Sequence, residues 1–276
     1  MSKKVRLILG DQLNSKHSWF DKTDEDLVYF MCEARSETDY VRHHVQKVAA
    51  FFQAMRTFAE HLQDEGHELC YLRLDDENNK GSIVDNIKWC LEKYEAEQFE
   101  YQLPDEYRLD VALRELCEDL SISTSAVDSE HFLVEREYLK TLFEGKKTYL
   151  METFYRKVRT KYGLLMEGDG ETPLTGRWNY DSENRNKLPQ DQDIPAEPNI
   201  AHNVSEIVTM LEEAGVETMG KIEAEALAWP KNRTEALELL DSFCKKRLQH
   251  FGTYQDAMTD RHYLLFHSKL SFAMNV

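Results

Sequence analysis

Hydrophobic residues in the first 130 positions alternate between two spacings, and this alternation limits the fold more than any single motif. Short apolar runs at Val5–Leu9, Leu27–Met31, Glu68–Leu74, Gln98–Leu103 and Ser121–Val127 have the length and composition of strands. Between the second and third runs, Val41, Val45, Val48, Phe52, Met55, Ala59 and Leu62 step by four and three. That stepping predicts one long helix, starting near Asp39, with a single core-facing stripe. Shorter amphipathic patterns cover 83–97 and 106–120. Strands separated by helices pair in parallel, because parallel neighbours need a crossover. The expectation is an α/β fold: an open, Rossmann-like parallel sheet of five strands with helices on both faces. Spacing does not reveal the strand order.

From about Tyr138 the strand signal stops. The stretch 150–161 reads as an aromatic, basic helix. A long segment to about Asn199 follows, kept extended by Pro173, Pro189, Pro195 and Pro198. Its Arg177-Trp178-Asn179-Tyr180 grouping argues for a packed segment, since disordered linkers are poor in aromatics. Helices are then expected at 205–214 and 234–250. In the second, Thr234 caps and Leu237, Leu240, Cys244 and Leu248 form the inner stripe beside Phe243. The chain divides on this reading into an α/β domain at 1–132, a connector at 133–200 and a helical region at 201–276.

The composition is that of a globular protein, with 41% hydrophobic and 11% aromatic residues. No apolar run approaches the length of a membrane span, and Val5–Leu9 is too short for a signal peptide's core. The five cysteines are scattered and contain no Cys-x-x-Cys pair, which argues against structural zinc and a disulfide framework. A reducing cytoplasm is the natural setting. The net charge of −17 opposes nonspecific nucleic-acid binding. Yet between Lys146 and Lys187 nine Lys or Arg stand against six acids, either a local basic surface or a solvated helix face.

Gly10-Asp11-Gln12 follows the first strand, where parallel sheets bind ligands outside the carboxyl ends of strands. It carries neither Gly-x-Gly-x-x-Gly nor a P-loop, and a plain strand-to-loop turn remains open. The second strand leads into Cys32-Glu33 and Glu37, then a helix on which Tyr40, His44, Lys47 and Phe51 share a face. Such carboxylates, imidazole and rings suit a planar heterocycle, or an ordinary polar surface helix. Metal binding is one reading, but adjacent His43 and His44 cannot point the same way on a helix, which argues against a zinc site. At the far end, Ser268 and Ser271 are spaced to cap a helix, with or without a phosphate on its free N–H groups.

Several collinear motifs carry a resemblance. Leu7-Ile-Leu-Gly-Asp-Gln-Leu13, Cys32-Glu33, Tyr40-Val-x-His-His44, Ala54-Met-Arg-x-Phe-Ala-Glu60, Gly176-Arg-Trp-Asn-Tyr-Asp-x-Glu-Asn-Arg185, Tyr254-Gln-Asp-Ala-Met258 and His267-Ser-x-Leu-Ser271 run in order along the chain. Together they resemble the photolyase-related branch of the photolyase/cryptochrome superfamily, which includes iron–sulfur bacterial cryptochromes and prokaryotic (6-4) photolyases.

That resemblance implies a light-dependent DNA repair flavoprotein. An antenna chromophore, 6,7-dimethyl-8-ribityllumazine, would be held by Gly10, Asp11, Gln12, Glu33, Glu37, Tyr40, His44 and Phe51. FAD would be approached by Tyr254, His267, Ser268, Leu270 and Ser271, and UV-damaged DNA by Arg185 and Lys187. The excited flavin would donate an electron to a (6-4) photoproduct flipped from the stack. The flavin ring pocket, the lesion-facing groups and the four ligands of a 4Fe-4S cluster lie later in such proteins. The chain therefore reads as the front half of one, with the start of an all-α FAD-binding domain, no catalytic residue of its own and no repair activity alone. Exposed apolar surface on its 205–276 helices is expected to promote self-association. Two rival readings remain: a blue-light photoreceptor without repair, and a stand-alone nucleotide-binding module.

Overall fold

A computed structural model describes residues 3–276. The sheet is built from β1 (Lys3–Leu7), β2 (Leu27–Cys32), β3 (Leu69–Leu72), β4 (Ala96–Gln102) and β5 (Ser123–Val127). Every neighbouring pair is parallel, in the order β3-β2-β1-β4-β5. Strand order therefore reverses between β1 and β4, which opens a crevice at their carboxyl ends. Between the strands run α1 (Arg35–Asp39), α2 (Val45–Asp64), α3 (Ile83–Lys93) and α4 (Tyr107–Asp119). Further on come α5 (Arg136–Leu142), α6 (Met151–Tyr162), α7 (Ser205–Glu213), α8 (Arg233–Lys246), α9 (Leu248–Tyr254) and α10 (Leu270–Ala273).

The period of two decides which core each strand residue enters. On β2, Val28, Phe30 and Cys32 join the core under α3 and α4, while Leu27, Tyr29 and Met31 join the core under α2. Every residue of β2 is buried, as expected of a central strand covered on both faces. Ile8 and Leu9 are buried just beyond the end of β1, so the apolar run outlasts the strand.

The chain forms two compact units. One comprises the residues through Ser129 with Glu197–Asp241 and Lys269–Val276; the other comprises Glu130–Ala196 and Ser242–Ser268. This differs from boundaries at 132 and 200. Ile207, Met210 and Leu211 of α7, with Leu227 and Leu239, share one core with Val48, Met55 and Leu62 of α2. Much of the expected helical region is thus the outer layer of the α/β unit.

Two helical expectations are corrected. The long helix does not start near Asp39: α1 ends there, and α2 begins at Val45 with His44 as its N-cap. The 234–250 helix is two helices, interrupted at Arg247 (φ −121°, ψ −34°), whose buried guanidinium donates to the Pro195 and Leu265 carbonyls. Its cap is Asn232, whose Oδ1 accepts from Glu235 N at 3.0 Å, and not Thr234. Ala236 and Leu239 face the core, whereas Leu237, Leu240, Cys244 and Leu248 are exposed, so Cys244 is no core residue. Small Ala236 marks the packed face, and a hydrophobicity count alone chooses the other one.

Candidate functional site

A cavity of ≈ 220 Å³ opens beyond the carboxyl ends of β1 and β2, bounded also by the start of α4. Its inner walls are Val48, Phe51, Phe52 and Met55 of α2. Gly10 lies at the floor, where a Cβ would fall 2.9 Å from Met55 Sδ and 3.6 Å from Phe51, so Met55 would have to shift to admit one. The absence of a side chain lets α2 approach the end of β1.

The rim is charged. Glu37 meets Arg108 in a two-pronged pair, Nη1 to Oε1 at 3.1 Å and Nη2 to Oε2 at 2.5 Å. The Arg108 guanidinium lies 4.5 Å from the centroid of the Tyr40 ring. The bond from Glu37 raises the Arg108 value, so the cation is secure. Arg108 Nε is buried and meets no protein acceptor. Across the rim, His43 sits edge-on to Tyr40 at 5.0 Å, with its Nδ1 3.2 Å from Lys47 Nζ. Burial lowers the His43 value below the usual histidine range, and the Lys47 charge lowers it further. At neutral pH the ring is therefore neutral, with one nitrogen donating and the other accepting.

Among the expected antenna residues, Gly10, Asp11, Glu33, Glu37, Tyr40 and Phe51 line this cavity. Glu33 is spoken for, since its buried carboxylate accepts four bonds, two from Arg56 and one each from Tyr71 Oη and Leu74 N. Gln12 is structural: its buried amide accepts from Leu9 N and donates to the Gln102 carbonyl, at 3.1 Å each. His44 is not among the lining residues. Its Nδ1 caps α2 by accepting from Gln46 N at 3.2 Å, and its ring packs on Gly220. The bend between α1 and α2 exchanges the two histidines, and His43 takes the place expected of His44. Arg108 and Glu106 escape a sequence reading because only the strand order brings β4 beside β1.

A scan against protein-family models matches residues 6–227 to the deoxyribodipyrimidine photo-lyase-related proteins. The chain belongs to this family. Among curated relatives, the (6-4) photolyase of Agrobacterium fabrum is 35% identical over 273 residues, covering 98% of this chain and 53% of that protein. The chain thus spans about half the length of that photolyase-related relative. The mimivirus protein R852 of Acanthamoeba polyphaga mimivirus is 25% identical over 169 residues, covering 60% of this chain and 81% of the relative. The crystal structure of a bacterial class III photolyase from Agrobacterium tumefaciens superimposes with TM-score 0.49 and 12% identity, over 91% of this chain and 46% of that one.

Tyr254, His267 and Ser268 fall in one compact unit, Leu270 and Ser271 in the other. Ser268 and Ser271 do not share a helix start. Lys269 between them is left-handed (φ 56°), makes no side-chain cap bond, and α10 is a single turn. His267 Nε2 lies 3.1 Å from the Gln255 carbonyl. Arg185 is exposed and pairs with Asp256 at 3.3 Å, and Lys187 is exposed. Among the described residues, no three His, Cys, Asp or Glu side chains gather to hold a metal ion. No described helix is long and apolar enough to cross a membrane.

Proposed function

We propose that the cavity binds the planar ring of a light-absorbing heterocycle, a ribityl lumazine, so that the α/β unit collects light for a DNA-repair flavoprotein. The observation that carries this is the pairing of aromatic and aliphatic walls with a rim of Glu37, Tyr40, His43, Lys47 and Arg108. At ≈ 220 Å³ the cavity lies below the roughly 300–1,000 Å³ common for ligand pockets. It suits a bicyclic ring held inside with its polar tail leaving through the mouth. The Arg108 guanidinium, held at the rim by Glu37, offers the polar edge of the ring a positive charge. When bound, the chromophore supplies absorption in the near ultraviolet. The protein's part is to hold the ring rigid, keep water off it and fix its proton distribution through neutral His43.

The test is titration of the protein with 6,7-dimethyl-8-ribityllumazine, read by fluorescence anisotropy. Saturable binding that weakens about tenfold or more in Arg108→Met is expected. Equal binding by that variant, or none by the native chain, overturns the antenna reading. Saturable ATP binding in its place favours a nucleotide module.

For the whole protein we propose repair of (6-4) photoproducts by an electron from reduced FAD, supported by family membership and by the relative named a (6-4) photolyase. Flavin and UV-damaged DNA enter on those grounds alone, and no step is assigned to Tyr254, His267, Ser268, Leu270, Ser271, Arg185 or Lys187. Illuminating the full-length protein on an oligonucleotide with a single (6-4) lesion decides between repair and light sensing. Flavin photoreduction with the lesion untouched supports a photoreceptor.

A further inference from the structure

Farther along α2, a cavity of ≈ 380 Å³ shares no lining residue with the one described above. Thr57, Phe58 and His61 of α2 line one side, and Leu13 and Leu237 extend its apolar part. Lys16, Lys231 and Arg233 complete the lining, Lys231 half-buried and the other two exposed. The chain carries 51 acids among 276 residues, yet no acid lines this cavity.

The cations stand on segments that are tied together. Asn14 Oδ1 accepts from Lys16 N and from Arg233 Nη1, at 3.1 Å each, which joins the loop after β1 to the start of α8. Lys231 N donates to Glu235 Oε2 at 3.0 Å, and the same carboxylate oxygen lies 2.8 Å from His202 Nε2. Glu235 thus fixes the Lys231 backbone from outside the cavity and leaves the ammonium charge unmatched. Among the described residues, no carboxylate is paired with Lys16, Lys231 or Arg233. Three like charges around one hollow repel one another, and an anion among them relieves that repulsion.

We propose that this cavity binds a small organic phosphate, its phosphate among Lys16, Lys231 and Arg233 and its apolar body against Leu13, Phe58 and Leu237. A phosphate presents several acceptor oxygens to the forked guanidinium and to both ammonium groups. The cavity volume falls within the roughly 300–1,000 Å³ common for small-molecule sites. A nucleic-acid strand suits it less. Its phosphates would continue past three local cations into the field of a chain of net charge −17, whereas a compact anion meets the cations alone. Nor does a sugar–phosphate backbone match the Phe58 side of the lining.

Titration with phenyl phosphate, followed by ³¹P NMR, tests this. The native protein should bind it saturably, and about threefold or more tighter than inorganic phosphate, because only the ester covers the apolar lining. Lys231→Met and Arg233→Met should each weaken binding about tenfold. Leu237→Glu sets a carboxylate at an exposed lining position, so it should weaken binding at least as much without disturbing a buried contact. Lys140→Met removes an exposed cation of α5 outside the cavity and should change nothing. Absence of saturable binding, equal affinity for the two phosphates, or an equal loss in Lys140→Met overturns the proposal. So does a short DNA duplex that displaces phenyl phosphate and itself loses affinity in Lys231→Met and Arg233→Met, since the cavity then serves a nucleic-acid strand.

Discussion

Gly220 lies against the His44 ring so closely that a Cβ on it would fall 1.9 Å from His44 Nε2. The contact belongs to a clasp. Val45 N donates to the Met219 carbonyl and Met219 N to the His43 carbonyl, both at 2.9 Å, and Gln46 Nε2 reaches the Lys221 carbonyl at 2.9 Å. The loop between α7 and α8 thereby fixes the backbone of His43, the residue on the cavity rim.

Gly220→Ala is expected to destabilise the α/β unit by about 2 kcal/mol or more, since it combines a clash with a left-handed φ of 82°. Urea unfolding measures this. Adding His44→Ala should relieve the clash, leaving a backbone cost of about 1 kcal/mol and about 1 kcal/mol more for the lost N-cap of α2. If the single variant is as stable as the native chain, the clasp is not as close as described.

Glu33→Ala should cost about 3–5 kcal/mol, because it strands the Arg56 guanidinium and two further donors around a fully buried carboxylate. Glu37→Ala removes a partly exposed partner of Arg108 and should cost under about 1 kcal/mol while weakening lumazine binding. Comparing unfolding midpoints with binding constants separates the structural acid from the rim acid.

His43 gives the site a pH signature. Its value is lowered, so the neutral ring's contribution is complete above the ordinary value near 6.5 and drains as pH falls through the lowered one. Lumazine affinity should be flat from pH 8 to about 6.5 and decline below. Lys47→Met removes the second cause of the lowering, so the decline should begin at higher pH. An unchanged profile in that variant places the titrating group elsewhere.

The face of α8 is open to a paired test. Leu239→Ala should cost about 2–4 kcal/mol and Leu237→Ser within about 0.5 kcal/mol, because only Leu239 is buried. The reverse order of effects would restore the stripe through Leu237.

The parts of the fold that were readable are those where one physical rule acts alone. The stripe from Val48 to Leu62 and the buried run of β2 follow from burial against a sheet, and both stand. The exchange of His43 for His44 was hidden because helix phase carries across a position only if the helix is continuous, and five residues break it between Asp39 and Val45. Arg108 was hidden for a different reason. It reaches Glu37 only through the pairing of β4 with β1, a contact between distant segments that no local spacing encodes.

The packing of α7 on α2 carries a practical consequence for anyone wishing to isolate the α/β unit. Severing the polypeptide after the fifth strand would strip Ile207, Met210 and Leu211 from the long helix and leave its oily flank wet. It would also release the loop that steadies His43. A working miniature would have to graft that later piece back on, joined by a new linker.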